Sequence, residues 1–148
     1  MTAGLTTRRD VTLDLAEQIL REARAEAERR GVPMGLAVVD TGGNLVAGAR
    51  MDGTQLVALA LATDKAYTAV AFGRPTEAWA EVSAPGGSDW GLSTVLQGRL
   101  VVFAGGLPIT VDGAVVGGLG VSGGPAAVDR ACAEAGLRAV PGSAPQTG

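Results

Sequence analysis

Four residues within five positions, Asp64, Lys65, Tyr67 and Thr68, place proton-carrying groups inside an apolar run from Thr54 to Phe72. Lys65 is the single lysine of the chain, and an ammonium set among Leu, Val and Ala is costly unless something negative meets it. Three readings follow. One of the chain's own acids, such as Asp40 or Asp52, neutralises it while its stem covers apolar surface. Alternatively it anchors an anionic ligand, a carboxylate or propionate. In the third, burial depresses its pKa and leaves an amine able to act as base or nucleophile. Tyr67 and Thr68 lie within one helical turn and are placed to hydrogen-bond the same ligand. Arg50, at a strand end, is a second cation.

Two further groups carry polar chemistry. Asp89 and Trp90 fall in residues 83–100, a stretch full of breakers that reads as a long structured loop, and such loops tend to carry function. Trp90 is there either a lid over a pocket or a plug against the core. Gly118-Leu-Gly120-Val-Ser-Gly123 matches the glycine pattern of dinucleotide-binding turns, but no strand follows the next helix, so that context is missing. Ser122 and Gly123 still precede a helix N-terminus, where backbone N–H groups attract an anion. The alternative is that these glycines let strand and helix pack.

Two functional sets result. A binding protein would use Arg50, Lys65, Thr68, Trp90, Ser122 and Gly123 around an anionic small molecule. A metal-free enzyme, an isomerase, lyase or cyclase of small organic acids or carbonyl compounds, would use Lys65 or Asp89 as acid/base and Tyr67 as hydrogen-bond donor.

The elements that must position these groups can be read in order. Residues 10–30 place Val11, Leu15, Ile19, Ala23 and Ala27 at helical spacing, with Thr7 or Asp10 as cap and Gly31 as the stop. GLAVVD (35–40) and LVAGARM (45–51) flank Thr41-Gly42-Gly43-Asn44, a hairpin turn that Asp40 caps. The run from Thr54 to Phe72 predicts a helix apolar on nearly every side, fit for an interior or an oligomer interface, with Asp52 or Thr54 as cap. Thr76 opens a shorter helix. LVVFA (100–104), LPITV (107–111) and AVVGGLGV (114–121) predict three further strands, the last thinned by glycine where a backbone or a ligand comes close. Pro125 opens a final helix, in which Cys132 reads as a small core residue, and Met51 likewise belongs to the core. The order predicts an α+β domain with an antiparallel five-stranded sheet flanked by helices, over residues 5–140, and a frayed tail at 141–148.

Composition narrows the chemistry. At 148 residues the chain is long enough to bury roughly 70% of its unfolded surface. It contains no histidine, which removes the commonest metal ligand and the usual neutral-pH base, so no metal site is expected. One cysteine gives no internal disulfide. A net charge of −3 without basic runs argues against nucleic acid. Arg8-Arg9 are followed by a charged helix and no long apolar window occurs, so the chain reads as cytoplasmic and without a membrane partner.

With these pieces in place, the sequence resembles the GlcG/HbpS-like family, which includes the C-terminal domain of PduO-type proteins. The resemblance rests on AVVDTGGNLVAGARMDG (37–53), ATDKAYTAVAFGRPT (62–76), AGGLPI (104–109) and VVGGLGVSGG (115–124), in that order. It implies a profilin- or PAS-like three-layer arrangement, homo-oligomers of two or more chains, and haem or another tetrapyrrole as ligand. The family often reads Gly-Gly-His after the aspartate of the first hairpin, whereas Asn44 follows Gly43 here. Any haem iron would then look to Tyr67, Met51, Cys132, Lys65 or a hydroxyl. The expected pocket lies between the central helix and the sheet, with Lys65 and Arg50 neutralising the ligand and Trp90 covering it.

Overall fold

The structure, a computed structural model, describes residues 3–142; most of the expected tail, 143–148, lies outside them. Helix α1 (Leu13–Arg30) starts at Thr12, whose hydroxyl accepts the Leu15 amide at 3.2 Å, and stops at left-handed Gly31. Neither Thr7 nor Asp10 caps it. Asp10 instead accepts from the Thr41 amide and hydroxyl at 2.7 and 2.6 Å, tying the N-terminal segment to the first hairpin. Strands β1 (Gly35–Val39) and β2 (Leu45–Arg50) form that hairpin. Asp40 closes its turn as expected, accepting from the amides of Gly42 and Asn44, both at 2.9 Å.

The second hairpin joins β3 (Gly106–Val111) to β4 (Ala114–Ser122), and the antiparallel order across the sheet is β2-β1-β4-β3. The sheet therefore has four strands, not five. The expected strand at Leu100–Ala104 does not form. Leu100 and Val101 are buried, but the Val101 amide donates to Thr68 Oγ1 at 3.0 Å, so a helix side chain takes the bond a ladder would need. A short apolar run signals burial, and burial alone does not specify a strand.

Helix α2 (Ala58–Phe72) begins four residues later than the apolar run, with Val57 at the cap position and no side-chain cap. Thr54 points elsewhere, donating to the Pro33 carbonyl at 3.0 Å. Residues Thr76–Trp79 form a 3-10 turn capped by Pro75, while the Thr76 hydroxyl donates to Phe103 O at 2.6 Å and accepts from Gly106 N at 3.1 Å. The loop that follows contains a 3-10 turn, Leu92–Thr94, and a single turn α3 (Val95–Gly98) before β3. Helix α4 (Ala126–Leu137) follows Pro125.

Strand alternation sorts the side chains into layers. Leu36, Val38, Leu107, Ile109, Leu119 and Val121 join Ile19 and Ala23 of α1 and Cys132 and Ala133 of α4 in one apolar cluster. On the other face the strands present glycine to α2. A Cβ at Gly35 would sit 2.5 Å from Ala58 C, one at Gly118 2.2 Å from Ala66 O, and one at Gly120 1.8 Å from Ala62 O. The buried alanines of α2 (Ala58, Ala62, Ala66 and Ala69) let its backbone rest directly on the sheet. The close neighbour that the glycine-thinned strand was expected to admit is this helix. The space between helix and sheet, expected to hold a ligand, is filled here by backbone.

Gly120→Ala tests that contact. The added methyl meets a carbonyl that cannot step aside, so the variant should lose about 3 kcal/mol or more of stability, or fail to fold, in a urea titration.

Candidate ligand-binding site

Lys65 is fully buried, and its neighbours fix its role. The Nζ donates to Asp129 Oδ2 at 2.8 Å and to the Val121 carbonyl at 3.0 Å, and lies 5.1 Å from the Phe103 ring centroid. Gly105 makes this approach feasible, since a Cβ there would meet Nζ at 2.7 Å. The partner is neither Asp40 nor Asp52 but Asp129, in the first turn of α4. Its other oxygen accepts the Gly124 amide at 2.9 Å. The amide before α4 that was expected to attract an anion thus receives the chain's own carboxylate. Burial pulls the Lys65 pKa below its usual 10.5, while the Asp129 hydrogen bond and charge pull it back up.

Tyr67 lies two positions on and faces away from Lys65, as residues i and i+2 of a helix must. Its ring packs against Gly43 of the first hairpin, where a Cβ would lie 2.6 Å from Cδ2. Over the ring lies the Arg99 guanidinium, 3.5 Å from the centroid, and Asp64 faces Arg99 Nε at 3.5 Å. A guanidinium stacked by its face on an aromatic ring keeps its N–H edge free for a planar anion. Tyr67, Leu96, Gln97 and Arg99 line an open cleft of about 430 Å³. Thr68 serves the interior, donating to Asp64 O at 2.7 Å and accepting from Val101 N.

The remaining expected residues do not converge on Lys65. Arg50 is exposed at the end of β2 and lines a separate cleft of about 330 Å³ with Arg24, Glu28, Met51 and Asp52. Asp89 is exposed, and Trp90, 68% exposed, is neither lid over that lysine nor core plug. Ser122 is buried at the end of β4, and Gly123 (φ 144) is pressed against the Pro33 carbonyl. No hydrogen bond or ion pair among the described residues joins any two of Lys65, Tyr67 and Asp89, so that acid/base set is not assembled. Cys132 is a core residue whose thiol burial pushes up to about 11. The Met51 sulfur accepts the Met34 amide at 3.3 Å. The sequence reading overlooked Asp129, Leu96, Gln97 and Arg99. Of these, only Asp129 carried a signal, a carboxylate in the first turn of a helix.

The fold and these contacts define a three-layer α+β protein with a sealed ion pair on one side of its central helix and an aromatic–guanidinium cleft on the other. A sequence model described as "Haem degrading protein HbpS-like" matches residues 11–138, and the chain belongs to that family. An uncharacterized 15.0 kDa protein of Citrobacter freundii is 38% identical over 127 residues, 86% of this chain and 89% of that protein. The corrinoid adenosyltransferase PduO of Salmonella typhimurium is 37% identical over 123 residues, covering 83% of this chain but only 37% of PduO. Among solved structures, a PduOC:haem complex superposes with a TM-score of 0.86 at 35% identity, covering 89% of this chain and 96% of that one. A double mutant of HbpS from Streptomyces reticuli gives 0.84 at 34%, covering 93% and 92%. No helix among the described residues is long and apolar enough to cross a membrane.

The sealed pair makes two predictions. Asp129→Ala strands a buried ammonium and should cost about 3–5 kcal/mol in urea unfolding, whereas Lys65→Met with Asp129→Leu should recover most of that loss. Between the lowered Lys65 pKa and 10.5 the folded chain binds fewer protons than the unfolded one. Its contribution to stability therefore rises with pH across that window and is lost as pH falls through the folded value. Cys132, raised to about 11, gives an opposing slope in both proteins, so the difference in unfolding free energy between wild type and double variant should rise with pH across the alkaline range.

Proposed function

We propose that the chain is a small-ligand-binding protein whose site is the cleft beside Tyr67, and that its ligand is haem or a related tetrapyrrole. The observation that carries this reading is the Arg99 guanidinium lying 3.5 Å over the Tyr67 ring at the edge of an open cleft. An aromatic face, an apolar side chain (Leu96) and a fixed cation suit a flat, largely apolar molecule with peripheral carboxylates. The family supports the same ligand class, since the similar PduOC chain was solved with haem. The first hairpin turn abuts the Tyr67 ring through Gly43.

The donor set fits the ring and carboxylates of haem better than histidine-ligated iron. Lys65, Cys132 and Met51 are engaged or buried within the chain, which leaves Tyr67 as the iron-ligating type bordering this cleft. Arg99 would neutralise a propionate, and Leu96 would cover part of the macrocycle. Bound haem supplies its own redox chemistry, and the protein's share is to bind and orient it. Leu56, 88% exposed, and half-exposed Val57 at the start of α2 support the homo-oligomer reading, as apolar surface that a second copy would cover.

Titrating the purified protein with haemin while following the Soret band tests the site. Arg99→Ala should weaken binding about tenfold, the 1.4 kcal/mol scale of one charge-assisted contact. Lys65→Met with Asp129→Leu should leave the affinity unchanged. A wild-type protein that produces no Soret shift would remove the haem reading.

A further inference from the structure

Three consecutive residues beside this cleft have left-handed backbones: Leu96 (φ 55, ψ 44), Gln97 (φ 59, ψ 34) and Gly98 (φ 80). Glycine adopts that conformation freely, but leucine and glutamine do so at a cost, because Cβ crowds the following carbonyl. Such strain persists only where the surroundings over-determine it, and it collects at ligand clamps. Both side chains are exposed, and beyond the bonds internal to the turn the Arg99 amide donates to Leu96 O at 3.2 Å. What the turn does accomplish is placement. It brings Leu96 and Gln97 to the rim of the cleft and delivers Arg99, the next residue after Gly98, onto Tyr67.

The chemistry of the rim is specific. The guanidinium is occupied on its face by Tyr67 and touched at Nε by Asp64, so its terminal N–H groups remain for a ligand. Gln97 carries two amide N–H donors two residues away along the chain, in the same cleft. Two donor groups of this kind match the two oxygens of one carboxylate. We propose that the left-handed turn is a carboxylate-recognition device, in which Gln97 is a specificity-determining residue that shares one ligand carboxylate with Arg99 beside Tyr67. The proposal rests on the cleft being the ligand site and adds the chemical group it selects.

The experiment compares haemin with haemin dimethyl ester, which keeps the macrocycle and iron but lacks free carboxylates. The wild type should bind haemin about tenfold more tightly than the ester. Gln97→Ala should bring that preference down toward unity, and Gln97→Asn, which tolerates the left-handed backbone and keeps an amide, should retain most of it. Gln97→Gly relieves the backbone and should raise the Tm by about 2–4 °C while losing the preference. Such a variant is folded, so its loss of selectivity cannot come from damage to the fold. Equal affinity of the wild type for acid and ester, or a preference that persists in Gln97→Ala and Gln97→Gly, would overturn the proposal. If haemin binding survives in those variants and still falls in Arg99→Ala, the cleft stands and only the role of Gln97 is lost. If Arg99→Ala is also without effect, the cleft reading itself fails.

Discussion

The buried contact between Lys65 and Asp129 is the constraint on which the rest of the structure depends. It bridges α2, on one face of the sheet, to the first turn of α4, on the other, around the end of β4 where the Val121 carbonyl accepts a second bond. A charge taken out of water in this way is tolerated only when its partners are fixed at hydrogen-bond distance. The fold supplies that fixing through glycine. Gly105 clears the space for the ammonium, Gly106 lets the chain pass against the Lys65 carbonyl, and Gly118 and Gly120 let α2 settle on the strands. The pair and the glycines are therefore one device. The side chain of Lys65 reaches Asp129 because its helix lies closer to the sheet than side chains at those positions would permit.

This arrangement decides where function can reside. A lysine with two close acceptors and no exposure is withdrawn from ligands. The opposite side of the same helix is different. There Tyr67 meets the first hairpin, Arg99 lies on its ring, and a strained turn borders open space. The helix thus divides its polar residues, Lys65 and Thr68 to the interior and Tyr67 to the cleft. Their closeness in sequence suggested one site, but a 3.6-residue period separates them in space.

Much of the fold was legible because it follows from local rules. The two hairpins, the Asp40 turn, the Gly31 stop and the interior position of Cys132 were each predicted from residue type and spacing, and the structure has them. The fifth strand was misread because Leu100–Ala104 shows the composition of a strand while its hydrogen bonding is settled by Thr68, 33 residues away from Val101. Thr54 and Asp10 were misread as caps for the same reason, since distant partners claim their oxygens. The tension around Lys65 was visible in the sequence, as was the possibility that an acid resolves it. Which acid was not, because Asp129 is 64 positions away and only the path of β4 brings it near. The cleft was the least legible part. Leu96 and Gln97 carry no sequence mark of a left-handed backbone, and Arg99 gains its meaning from the ring beneath it.

The composition offers a direct way to decide between the two sides of α2, because the chain has one lysine and one tyrosine. Selective 15N labelling of lysine Nζ and 13C labelling of the tyrosine ring gives one NMR reporter for each. Titration with iron-free protoporphyrin IX, which avoids paramagnetic broadening, should shift the tyrosine resonances in proportion to occupancy and leave the lysine resonance where it was. A lysine signal that moves with ligand while the tyrosine signals stay fixed would contradict the account and return the site to Lys65.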